Sequence, residues 1–302
     1  MNESKLNEEI KAKYNQLGEN HETYLQGLLH AKPINYWEYV GVDTLLSLQN
    51  TRTNFKDEEI FIMYHQVTEL VLKMMIHEIK QLVYETFTEE IWIDKLTRLN
   101  RYTSLLISSF DVMKSGMNYE DYNTFRSTLT PASGFQSAQF RLLEIYCTGL
   151  SNLVNSEGQT RLSSSPSVEE YFEHIYWKDA GLNRKTGKKS LTLRLFEEKY
   201  QNRFISLAKK LKGQTLEDKV LKMNSLSDEL TQALKAFDFQ YNVAWPKVHL
   251  HTAQHYLDKQ GENKVATGGS EWKKYLHPKY QQRKFFPELW TEDEKNHWGE
   301  NN

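Results

Sequence analysis

Four stretches of the chain hold side chains whose types and spacing could do chemistry. In FIMYHQVTEL, His65 follows Phe61 by one helical turn and precedes Glu69 by another, among apolar neighbours. Such an imidazole is either a core side chain bonded to a carbonyl or a neutral base facing a buried pocket with Phe61 as its aromatic floor. In YNTFR, Tyr122 and Arg126 share one helix face. The planar guanidinium fork suits a carboxylate, either a local acid such as Glu120 or Asp121 or one carried by a ligand. WPKVHLHTAQHYL holds three histidines. His249 shares a face with Thr252, Ala253 and Tyr256, and the small alanine leaves room for a flat group against the helix. His251 and His255 lie on another face at the spacing of zinc helices, but Thr-Ala-Gln between them lacks the glutamate base of that motif. In VATGGSEW, Thr267 precedes two glycines that let backbone approach a ligand closely, either as a binding loop or as ordinary flexible chain. No GK[ST] follows to make a phosphate loop.

The block YNTFRSTLTPASGFQSAQFR, Tyr122 to Arg141, reads as helix at both ends with helix-stopping residues between. It is a helix–turn–helix corner or a wall of a binding site. Arg141 has the same two readings as Arg126, a pair for a surface acid or a ligand contact.

The elements that must position these residues are helical. Only 14 Gly and 6 Pro occur in 302 residues, which favours long helices. From Asp57 to Tyr84, Ile60, Met63, Tyr64, Val67, Leu70, Val71, Met74 and Met75 recur at three- and four-residue steps and predict a buried stripe. Further helices are expected over 88–113, 120–128, 135–154, 190–211 and 216–244, with Pro246 breaking the last or starting another. Residues 155–168 read as a surface loop, NRKTGKK as a basic turn, KQGENKVATGGSEW as a loop, and 291–302 as a frayed tail. No strand alternation and no internal repeat is seen. The expected architecture is all-α, a single domain over 1–302 with a loop-rich insertion at about 155–190.

Composition narrows the function classes. With 38 basic and 40 acidic residues the net charge is −2, which argues against a broad nucleic-acid footprint. Cys147 is the only cysteine, so an intrachain disulfide, a thiolate zinc site and an iron–sulfur cluster are excluded. The N-terminus has no apolar leader, and no run of about 18 apolar residues could span a bilayer. A cytoplasmic protein without membrane contact is expected. Aromatics at 13% would suit a core or the walls around a flat apolar ligand.

In this order, FxxxHQxxEL, YxxFR, LTPASGFQSxQFR, WxxxH, TGGS and FFPELW resemble the tryptophan 2,3-dioxygenase family, from about His21 to Trp290. The TPASGFQS block is the most specific, and little similarity is claimed over 148–240. The resemblance implies an all-helical, heme b-containing homotetramer that cleaves the indole C2–C3 bond of L-tryptophan with O2 to give N-formylkynurenine. It implies His65 as the distal, catalytic histidine accepting a hydrogen bond from the indole N–H, with Phe61 packed on the ring. Arg126 would clamp the carboxylate beside Tyr122, and Thr267 would hold the amino-acid end. His249 would be the axial ligand of heme iron, with Phe140, Ser133 and Gly134 against the cofactor and Tyr24 reaching a neighbouring subunit's pocket. The sequence also departs from the family pattern. The loop between His249 and Thr267 is longer, which leaves His251 or His255 open as the iron ligand. Pro246 replaces an arginine, ATGGSEW replaces GTGGSSG, and His21 stands where a second tyrosine is common. A heme monooxygenase acting on a modified indole or aromatic amino acid, and an inactive heme-binding helical protein, remain the alternatives.

Overall fold

Two stretches free of glycine and proline form the longest helices, α5 (Asp57–Tyr84) and α6 (Glu89–Ser115). Each opens on acid, Asp57, Glu58 and Glu59 in α5 and Glu89 and Glu90 in α6, where the helix dipole favours negative charge. The pair is cross-linked inside the protein by Lys95, whose Nζ donates to Glu78 at 2.9 Å and to Gln81 at 2.8 Å.

This computed structural model describes residues 2–126, 134–183, 186–257 and 277–300; Ser133 and Thr267 lie outside them. The chain divides into two compact units, Met1–Asn50 and Thr51–Asn302. The first holds α1 (Glu3–Gln16), α2 (His21–His30), α3 (Tyr36–Val40) and α4 (Val42–Leu45), none of which contains a buried residue. Asn2, Asn20 and Asn35 cap the first three through side-chain oxygens. The second unit holds α5 and α6, then α7 (Tyr119–Phe125), α8 (Ala138–Cys147), α9 (Ser156–Arg161) and α10 (Val168–Glu173). It continues with α11 (Leu191–Lys210), α12 (Leu216–Leu221), α13 (Asp228–Phe239), α14 (Trp245–Leu257), α15 (Pro278–Gln281) and α16 (Glu292–Asn296). Among the described residues the only strands are the two-residue pair Leu182–Asn183 and Lys188–Lys189, joined antiparallel around the basic turn. The fold is all-α, as expected, and α5 packs against both α6 and α8.

Several expectations are corrected. The inward face of α5 is Val71, Leu72, Met75, Ile76, Ile79, Leu82 and Val83. Met63, Val67, Leu70 and Met74 of the expected buried stripe are 38–48% exposed. An apolar band wider than one face can satisfy the helical period in two ways, and periodicity alone does not choose between them. The helix after the bend ends at Cys147 because Glu217 captures the Thr148 hydroxyl at 2.7 Å and the Gly149 amide at 2.9 Å. Residues 156–161 are helical, started by the Asn155 side chain on the Gly158 amide at 2.8 Å. The helix expected over 216–244 is interrupted at 222–227, where Ser227 caps α13. The tail is ordered through residue 300. Thr291 and Glu294 form a capping box, Trp298 is 2% exposed, and Gly299 takes φ 74 against Pro278, where any side chain would collide.

Asp238 ties that C-terminal segment to the core. Its carboxylate is fully buried and accepts from the Phe285 and Phe286 amides at 2.8 and 3.1 Å. It also accepts from Trp290 Nε1 at 2.9 Å and Asn242 Nδ2 at 2.8 Å. Asp238→Ala leaves three buried donors and the part-buried Trp290 Nε1 without an acceptor and is expected to cost on the order of 3–5 kcal/mol. Denaturant titration reads this as an earlier unfolding midpoint at unchanged slope. An unmoved midpoint would show that water replaces the carboxylate without cost.

Candidate functional site

α13 runs into α14 without a break, which is unexpected ahead of Pro246. Proline lacks an amide hydrogen, and its ring collides with the carbonyl four residues back. Residues Gln240–Ala244 relieve the conflict by widening into a π-helix, so that the Trp245 amide bonds the Gln240 carbonyl. Such bulges cluster at functional sites. Here the bulge sits one turn before His249. Trp245, on that turn, packs on Phe140 at 5.1 Å and on Tyr241 at 5.2 Å.

The three histidines of α14 occupy different environments. His251 is exposed, and His255 lies edge-on to Tyr119 at 6.0 Å. His249 packs against Phe110 of α6 at 5.5 Å, and among the described residues neither of its ring nitrogens has a hydrogen-bond partner. Burial, and then the nearby His65, push its pKa down to about 4. It is therefore a neutral imidazole with a free lone pair, set close enough to His65 that a charge on one opposes a charge on the other. Among the described residues no cluster of three metal-ligating side chains exists, so the zinc spacing of His251 and His255 is not completed into a site.

His65 combines the two readings of its sequence context. Its Nδ1 lies 2.7 Å from the Phe61 carbonyl, which only a protonated Nδ1 can satisfy as a donor. That fixes the tautomer and leaves Nε2 as an acceptor. The ring is exposed to solvent, yet the protein packed around it lowers its pKa by desolvation. Phe61 lies tilted against it at 4.1 Å, and Phe61 in turn meets Tyr122 at 6.0 Å and Phe125 at 5.7 Å. Gln139 of α8 holds the next turn of α5, donating to the Glu69 carboxylate at 2.9 Å.

α7 carries the cation. Asn118 caps it on the Glu120 and Asp121 amides, and Arg126 follows its last residue. Arg126 is half-buried, and among the described residues it has no ion-pair or hydrogen-bond partner; neither Glu120 nor Asp121 reaches it. Its charge is felt by the Tyr122 phenol, whose pKa is raised by burial and eased down by Arg126. Tyr122 and Arg126 thus present two donors, one turn apart, beside the Phe61–His65 pair.

The structure brings together Phe61, His65, Tyr122, Arg126 and His249. Phe140 lies against the helix that presents His249, and its ring is covered by the Arg141 guanidinium at 4.3 Å. Arg141 is buried, not a surface partner. It and Arg283 both bond Glu144, at 2.9 and 2.6 Å, with the Tyr176 hydroxyl donating between them at 2.5 Å. Gly134 opens a 3₁₀ turn, Gly134–Gln136, next to residues outside the description. Tyr24 stacks on Tyr14 at 4.2 Å within the first unit.

Two contributors were missed. Phe110 looks like any apolar position of α6, and nothing in its spacing marks it as the neighbour of His249. Tyr256 was visible only as a residue sharing a face with His249. Its hydroxyl donates to the Met113 carbonyl, and its ring packs on Tyr122 at 4.3 Å and Tyr119 at 5.5 Å, so α14 braces the helix bearing Arg126.

Known proteins of similar sequence converge on one family. The family model described as Tryptophan 2,3-dioxygenase matches residues 26–160. A tryptophan 2,3-dioxygenase of Ruegeria sp. (strain TM1040) is 28% identical over 284 residues, covering 86% of this chain and 92% of the relative. One of Bacillus thuringiensis (strain Al Hakam) is 27% identical over 285 residues, covering 90% and 98%. One of Anaeromyxobacter sp. (strain K) reaches 40% identity over 118 residues, 38% of this chain and 44% of its own. Over nearly its full length the chain is similar to tryptophan 2,3-dioxygenases, and its all-helical fold agrees with that likeness.

Proposed function

We propose that the protein is a heme-dependent dioxygenase that opens the indole ring of L-tryptophan, adding both atoms of O2 across C2–C3 to give N-formylkynurenine. The observation that carries this reading is the half-buried Arg126, with no carboxylate of its own among the described residues, beside Tyr122 and the Phe61–His65 pair. A cation left unpaired in a cleft is costly unless a ligand supplies the counter-charge. An amino-acid carboxylate does so, and an aromatic side chain then lies over Phe61.

The residues present also suit a heme. His249 offers a neutral nitrogen with no hydrogen-bond partner among the described residues, and Phe110 is a flat neighbour for a macrocycle. When bound, ferrous heme supplies the activation of O2. The chain's own residues do the rest. Arg126 and Tyr122 bind and orient the carboxylate, Phe61 grips the ring, and His65 Nε2 accepts the indole N–H while its Nδ1 stays tied to the Phe61 carbonyl. Desolvation by the surrounding protein lowers the His65 pKa, which favours the neutral imidazole that acceptance requires. The likeness of motifs assigns Phe140, Ser133 and Gly134 to the cofactor and Thr267 to the amino-acid end; Ser133 and Thr267 lie outside the described residues.

Assembly as a homotetramer is part of this reading. Leu28, Leu29, Ile34, Tyr36 and Tyr39 of the first unit are all more than 70% exposed, and α5 shows water the apolar face of Met63, Val67, Leu70 and Met74. Surfaces of this kind mark protein interfaces. In the assembly Tyr24 serves a neighbouring subunit's pocket. A cytoplasmic location agrees with a lone, buried Cys147; among the described residues no helix is long and apolar enough to cross a membrane.

The test is turnover. Heme-loaded, reduced protein given L-tryptophan and air is expected to form N-formylkynurenine, followed by its absorbance and mass. Failure to consume tryptophan while heme is bound would remove the assignment.

A further inference from the structure

Where α5, α8 and α11 meet there is a cavity of about 250 Å³, formed by residues the cleft above does not use. Leu142 and the Tyr146 ring of α8, with Leu207 of α11, make its apolar floor. Its rim is cationic: Lys80 from α5, and Arg203 and Lys210 one helical stretch apart on α11, with the Ser206 hydroxyl between them. Among the described residues no Asp or Glu lines it. Among the described residues none of the three cations has an ion pair, whereas Lys209, next in sequence, pairs with Glu169 at 2.5 Å. Lys80 and Lys210 instead lie over aromatic faces, 5.7 Å from the Tyr146 ring and 5.0 Å from the Tyr84 ring. Burial, and then the adjacent Tyr84, push the Tyr146 phenol up, so it supplies no negative charge.

Three like charges around one concavity repel each other and focus a positive potential into it. The arrangement becomes favourable once an oxyanion enters, through charge-assisted hydrogen bonds to the guanidinium and ammonium groups. The floor beneath them asks for an apolar body. A volume just under the usual range of ligand pockets limits that body to about one ring.

We propose that this cavity is a second binding site, for a small amphipathic anion whose oxyanion sits between Lys80, Arg203 and Lys210 and whose ring rests on Leu142, Leu207 and Tyr146. This does not depend on the dioxygenase reading.

Phenyl phosphate is the probe, with inorganic phosphate and phenol as its two halves, titrated calorimetrically into the full chain. The expected result is one saturable site for phenyl phosphate, at least about tenfold tighter than either half. Arg203→Gln and Lys80→Gln are each expected to weaken it about tenfold. Ser206→Trp, at an exposed helix position, fills the cavity and abolishes binding without moving the unfolding midpoint. Phosphate binding as tightly as phenyl phosphate would reduce the site to diffuse charge and overturn the proposal. So would binding that survives all three substitutions but is lost in Arg126→Leu, which would assign it to the other cleft. The absence of saturable binding would overturn it as well.

Discussion

Replacing His249 with alanine is expected to remove the Soret band of the heme-loaded protein, while His65→Ala is expected to keep it. Both side chains are neutral imidazoles, so the difference lies in what each nitrogen is free to do. His65 Nδ1 is occupied by the Phe61 carbonyl, and its ring lies tilted against Phe61. His249 has no such partner among the described residues and sits on a helix whose preceding turn is fixed by Trp245, Phe140 and Tyr241. Added imidazole is expected to restore the band in His249→Ala by occupying the vacated position. A band lost instead in His255→Ala, and retained in His249→Ala, would move the axial ligand one and a half turns along α14.

Arg126→Leu weakens L-tryptophan binding by about 2–4 kcal/mol, a factor of roughly 30 to 1,000, with heme content unchanged. The guanidinium stands half-buried with no ion-pair partner among the described residues, so the substrate carboxylate would be its counter-charge, and leucine offers none. Tyr122→Phe removes one neutral donor and is expected to cost about 1 kcal/mol, because the ring stays packed between Phe61 and Tyr256. Equilibrium titration of tryptophan into the ferric protein reads both losses. Affinity unchanged in Arg126→Leu would take the residue out of substrate recognition.

The two clearest helices were legible because α5 and α6 lack glycine and proline and begin in acid. Which face of α5 turns inward was not, since Met63 and Val67 fit an apolar stripe as well as Val71 and Leu72 do. The breaks after Cys147 and before Asp228 depend on Glu217 and Ser227. Glu217 acts across a separation of nearly 70 residues, which local pattern cannot register. Pro246 predicts a break that the structure does not show, because the π-turn Gln240–Ala244 ahead of it lets the helix continue. Of the site, Phe61 with His65 and Tyr122 with Arg126 could be paired from one-turn spacing alone. The likeness of motifs, rather than spacing, brought those pairs to His249. Phe110 and the bracing role of Tyr256 arise only when α6, α7 and α14 are packed together.

Isotope labelling addresses the central claim most directly. Reduced, heme-loaded protein is mixed with L-tryptophan under 18O2 and the product mass is measured before exchange with water. Ring opening by the arrangement of His65, Arg126 and a heme on His249 predicts N-formylkynurenine with both oxygens labelled. A product with one labelled oxygen and an intact ring would contradict it and make the protein a monooxygenase.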